Sequence, residues 1–95
     1  MAGGGIYDIA PTAVGSSSAI NFQPTGTQEV IINNIYTGGV SCELYKTNGT
    51  TPILSDTAAG WLGYRFRARS TNYIQLKNTS TNSINVSCDG VITTT

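Results

Sequence analysis

The sequence predicts an all-β protein, a small antiparallel β-sandwich or β-barrel of about 7–8 short strands with an extended N-terminal arm. Three observations carry that expectation. Ile and Val number ten and five against four Leu, and fourteen Thr enlarge the β-branched share, which suits a pleated surface better than a helix. Turn-forming residues recur at intervals of about ten residues. Between them apolar and polar residues alternate with the two-residue period of a half-buried strand.

Residues 1–18 are rich in Gly, Ala and Ser, with one apolar group, Ile6-Tyr7-Asp8-Ile9, ahead of Pro11. They read as an arm with at most one short edge strand. Residues 19–95 form a single domain. Its punctuation is Gln23-Pro24-Thr25-Gly26, Thr37-Gly38-Gly39, Asn48-Gly49, Ala59-Gly60, Ser70-Thr71-Asn72, Thr79-Ser80-Thr81-Asn82 and Asp89-Gly90. The segments left between are 19–22, 29–36, 40–46, 52–56, 62–69, 73–78, 83–89 and 91–93, each short enough for a strand joined by a tight turn.

The alternation also assigns faces. Val40, Cys42 and Leu44 form one inward set, Leu62, Tyr64, Phe66 and Ala68 a second, Ile74 and Leu76 a third, and Ile84, Val86 and Cys88 a fourth. Cys42 and Cys88 therefore point inward, as small core-filling thiols rather than redox groups. The core is small for 95 residues, so association with further copies would add burial that the isolated chain lacks.

Composition narrows the function. Five Lys/Arg balance five Asp/Glu, and only 11% of residues are charged. No global field draws the chain to nucleic acid or to an anionic membrane. With no His, the commonest general base and metal ligand is missing, and Asp8, Glu29, Glu43, Asp56 and Asp89 are scattered along the chain. Gly3-Gly4-Gly5 lacks the following Lys-Ser/Thr of a phosphate-binding loop. No apolar stretch approaches the roughly 20 residues that cross a bilayer, and no signal peptide is visible. The expectation is a soluble, non-enzymatic protein with no cofactor, metal or small-molecule substrate.

Two features stand out as contact candidates. Arg65, Arg67 and Arg69 share one face of a strand, a ladder of guanidinium groups about 13 Å long. Such a ladder either pairs with Glu29 or Glu43 on neighbouring strands or grips carboxylates of another subunit. Trp61, directly after Gly60, is either a core plug or an interface anchor. With the arm residues Ile6, Tyr7 and Ile9, these are the interface candidates, the arm and the Gly60-Trp61 loop supplying affinity and the Arg stripe orientation.

Several segments in order carry a likeness: Glu29-Val30-Ile31-Ile32-Asn33-Asn34-Ile35-Tyr36, Glu43-Leu44-Tyr45 with the turn Thr47-Asn48-Gly49-Thr50, Tyr73-Ile74-Gln75-Leu76-Lys77-Asn78-Thr79-Ser80, and Cys88-Asp89-Gly90-Val91. Over residues 20–93 the chain resembles small tailed-bacteriophage virion proteins of the head-decoration or capsid-cement kind. The resemblance implies a homotrimer on the major capsid protein of a phage head, located in the virion and stabilising the shell. Cys88 departs from it, standing where such proteins often carry an aromatic residue. Two alternatives are another virion part, in the head fibre, neck or tail, and a carbohydrate-binding or adhesin-like module stacking sugars on Trp61 and on Tyr45 or Tyr73.

Overall fold

A computed structural model describes residues 5–94. Eight strands follow one another: β1 (Gly5–Val14), β2 (Ala19–Phe22), β3 (Glu29–Tyr36), β4 (Cys42–Thr47), β5 (Pro52–Ala58), β6 (Trp61–Arg69), β7 (Tyr73–Lys77) and β8 (Ile84–Thr94). They form two four-stranded sheets, ordered β1-β8-β3-β6 and β2-β7-β4-β5, and every pairing is antiparallel. The sheets are separate, so the fold is a sandwich rather than a closed barrel. No described residue is helical.

Each sheet turns one face inward. Val30, Ile32, Ile35, Ala68, Val86 and Cys88 from the first sheet meet Phe22, Cys42, Leu44, Ile74 and Leu76 from the second, with Val14 and Trp61 closing the core. Both cysteines are free and buried, as the alternation predicts. Burial raises the Cys42 thiol pKa, and it pushes that of Cys88 up to about 12, with Asp89 and Asp8 adding to the rise against a lowering hydrogen bond from Ile9. Both are protonated at neutral pH and therefore poor nucleophiles.

Residues 5–14 of the N-terminal segment are part of the sandwich. β1 pairs with β8 from Gly5 to Ile9 and again from Thr12 to Val14, with a bulge at the Ala10-Pro11 step, where proline has no N–H to give. Ser17, at a positive φ of 62°, turns the chain back so that β2 enters the other sheet. Asn78 holds this corner from within. Its buried Nδ2 donates to the carbonyls of Val14 (2.9 Å) and Asn82 (2.8 Å), while its Oδ1 accepts from the Ser80 N–H at 2.9 Å and the Ser80 hydroxyl at 2.7 Å. Composition alone hides this strand, because the residues that anchor it lie some 64 positions away, near the far end of the chain.

The inward set expected on β6 is corrected by a second bulge. Ile32 is opposite Phe66 and Asn34 opposite Leu62, so three residues of β6 span one of β3. Gly63 absorbs the excess at a φ of 77°, a conformation glycine adopts without strain. The two-residue period changes phase there. Ala68 is buried and Phe66 half-buried as predicted, but Leu62 is 65% exposed and Tyr64 48% exposed, while Trp61 turns inward instead.

Candidate assembly surface

Trp61 is only 1% exposed, and its indole N–H donates to Asp56 Oδ2 at 2.9 Å, binding the end of β5 to the start of β6. It is a core plug, and its assignment as an interface anchor is corrected. Tyr73 is buried too, and Tyr45 is half-buried with its hydroxyl donating to Glu43 Oε1 at 2.7 Å. The aromatic platform that a sugar-binding module would need is therefore not formed by these residues.

The apolar arm residues separate onto opposite faces. Tyr7 and Ile9 face the core half-buried, and burial together with Cys88 pushes the Tyr7 hydroxyl pKa up to about 12. Ile6 points the other way and is 78% exposed. It lies opposite Val91, which in turn lies opposite Ile31, which lies opposite Arg67. Ile6, Val91 and Ile31 thus form one apolar row across the outer face of the first sheet, ending on the Arg ladder.

A polar row runs beside it. Asp8 is opposite Asp89, and Asp89 is opposite Asn34. Asn34 Nδ2 donates to Asp89 Oδ1 at 2.7 Å, the Tyr36 hydroxyl donates to Asp89 Oδ2 at 2.8 Å, and the Gly63 N–H donates to Asn34 Oδ1 at 2.9 Å. The hydrogen bond to Asp89, more than burial, raises the Tyr36 pKa. This network pins the β6 bulge to β8. Neither the Asp8–Asp89 pairing nor this network was readable in the sequence, where the two carboxylates are 81 positions apart; only strand register brings them together.

The Arg ladder lies on the outer face as expected. Glu29 approaches Arg67 at 3.6 Å and Arg69 at 3.8 Å, both exposed, while Arg65 has no acidic partner among the described residues. Exposed pairs of this kind are worth at most about 1 kcal/mol each. Lys46 comes from the second sheet and donates its ammonium to the Arg67 carbonyl. Burial, then Arg69 and Arg67, lower its pKa. One glutamate thus stands against four cations at this flank.

Two open clefts flank these features. One of about 520 Å³ lies between the β4–β5 turn and residues 71–72, lined by Lys46, Asn48 and Ile53 among others. The other, about 300 Å³, lies between Thr37-Gly38-Gly39 and Ala59-Gly60, with Leu62 at its rim. Beyond them, β5 is exposed along nearly its whole length, Ile53 and Leu54 included. The exposed apolar groups therefore lie along strands and edges, the kind of surface other β-proteins cover by association. The chain matches no family model, no curated protein and no solved structure.

Proposed function

We propose that the protein is a structural component of a virus particle, a decoration or cement protein that self-associates, as a homotrimer, on the major capsid protein of a tailed-phage head and stabilises the shell. The observation that carries this reading is the Ile6, Val91 and Ile31 row, which sets the exposed Ile6 and Val91 beside the half-buried Ile31 on a face held rigid by paired strands. A preordered surface of this kind binds another surface without first losing chain entropy. The partner is the one that the resemblance read in the sequence of residues 20–93 implies. Mechanical reinforcement needs only such contacts, repeated over many copies.

Immunogold electron microscopy of virions carrying the chain tests the assignment. Label over the outer head surface supports it. Label confined to the neck, tail or fibres moves the protein to another virion part, and particles free of label overturn it. Replacing Ile6 and Val91 together by Lys is expected to reduce occupancy on the head about tenfold or more while leaving the fold intact, because both side chains are exposed in the free chain.

A further inference from the structure

The first sheet ends in two edges of opposite character. The β6 edge carries Arg65, Arg67 and Arg69 on its outer face, with Glu29 as their only acidic neighbour within ion-pair distance among the described residues. The β1 edge carries the exposed Asp8, backed by Asp89 on β8, and the described residues include no cation paired with either. Because the sheet has four strands and every pairing is antiparallel, β1 and β6 run in opposite directions. A second copy placed beside the first can therefore add its β1 to β6 in the same antiparallel sense. We propose that copies of this chain join head to tail, the β1 edge of one adding to the β6 edge of the next so that the first sheet continues across the junction. The proposal rests on the self-association in the reading above and names the surface that performs it.

Backbone geometry supports the junction. The Arg69 N–H and carbonyl both bond to Asn72, so they point away from β3. Peptide groups along a strand alternate in direction, so those of Arg67 also point outward, with regular pairing to β3 running as far as Phe66. Carrying the alternation through Ile31 and Val91, opposite one another on β3 and β8, directs the peptide groups of Ile6 and Asp8 to their own open edge. Asn72 occupies Arg69 and Lys46 occupies the Arg67 carbonyl, which leaves the Arg67 N–H and the bulged segment beyond it, from Arg65, to meet the incoming strand.

Face matching then limits the register. Ile6 and Asp8 are on the outer face with the arginines, whereas Tyr7 and Ile9 are on the inner face with Phe66 and Ala68. Keeping like faces together sets Asp8 opposite Arg65 and Ile6 opposite Arg67, and it brings the half-buried Tyr7 against the half-buried Phe66 and Ile9 against the exposed Tyr64, whose ring stacks on Phe66. Shifting by two residues sets Asp8 opposite Arg67 instead. Either register opposes unlike charges outside and apolar groups inside. Pairing β6 with a second β6 would oppose arginine to arginine, which selects against the symmetric arrangement. A head-to-tail contact closes into a ring when the rotation between copies permits it, as a trimer requires.

Sedimentation velocity on the full chain at low salt tests the pairing through three variants: Asp8→Lys, the double variant Arg65→Asp/Arg67→Asp, and the three substitutions combined. The first two are expected to raise the dissociation constant about tenfold or more, and the combined chain, with its charges exchanged across the junction, to return within about threefold of wild type. A wild-type chain that stays monomeric at high micromolar concentration overturns the self-association itself. Wild-type assembly indifferent to Asp8→Lys, or a combined chain that stays apart, overturns the head-to-tail pairing and leaves self-association standing. Assembly that ignores all three variants but is lost in Leu54→Lys moves the contact to β5 and overturns it equally. The milder Asp8→Asn and Arg65→Gln, each expected to weaken assembly about threefold, serve if a charge reversal fails to fold.

Discussion

At the residue scale, the most informative side chain is one that no functional argument singled out. Asn78 is buried and uses both ends of its amide, giving hydrogen bonds to the carbonyls of Val14 at the end of β1 and of nearby Asn82 and taking two from Ser80. Its identity follows from that double duty: aspartate has no donor for Val14 and Asn82, and alanine has neither donor nor acceptor. Asn78→Ala is expected to lower unfolding free energy by about 2–3 kcal/mol in urea titrations, the consequence of leaving buried carbonyls without a partner. The cysteines make a prediction about pH. In the unfolded chain the Cys88 thiol ionises near 9.0, but in the folded protein only near 12, so folding holds the proton. The contribution of this thiol is thus constant below about pH 9 and falls between about 9 and 12, reinforced by Tyr7, whose hydroxyl moves from 10.0 to about 12. Denaturation by urea at pH 7 and pH 10.5 checks this, and Cys88→Ala should flatten the decline while costing stability at both values.

At the element scale, the bulge in β6 decides which of its side chains meet solvent. Gly63 lets β6 carry two extra residues past β3, and the consequence is the exchange of Trp61 for Leu62 in the core. A glycine of another kind serves β8. At Gly90 an added Cβ would lie 2.0 Å from the Ile31 carbonyl oxygen, in backbone that cannot move without separating β8 from β3. Gly90→Ala is expected to destabilise by about 3 kcal/mol or more, read as a lowered urea midpoint. Glu29→Gln offers the contrast: its two ion pairs with the arginines are exposed, and its loss should change stability by no more than about 1 kcal/mol, less in high salt.

At the scale of the whole molecule, the described residues leave the first-sheet edges open, Ile6 and Val91 exposed on the outer face and β5 bare. A domain of this size buries a modest fraction of its surface alone, and partners that bind the folded state add stability by mass action. The thermal midpoint is therefore expected to rise with protein concentration across the range in which copies associate, and in Asp8→Lys that rise is expected to shift to concentrations about tenfold or more higher. Differential scanning fluorimetry over a hundredfold dilution series reads both outcomes. A midpoint that rises over the same concentrations in wild type and Asp8→Lys would separate assembly from the β1 edge.

The sequence by itself determined what depends on local chemistry: the all-β class from β-branched content and evenly spaced turns, the inward cysteines, and an outward Arg ladder beside Glu29. Strand spacing placed β3 and β6 to within a residue or two, because turn residues act on their immediate neighbours. Tertiary structure decided what depends on pairing partners far apart in the chain. Whether residues 5–14 were an arm or a strand rested on the β8 edge and on Asn78, and whether Leu62 or Trp61 entered the core rested on the bulge opposite Asn34. The same holds for the cross-strand rows, which bring Ile6 beside Val91 and Asp8 beside Asp89 only once β1 lies on β8. Register is a relation between strands, with a face reversing at every one-residue slip, and no single strand's pattern contains it.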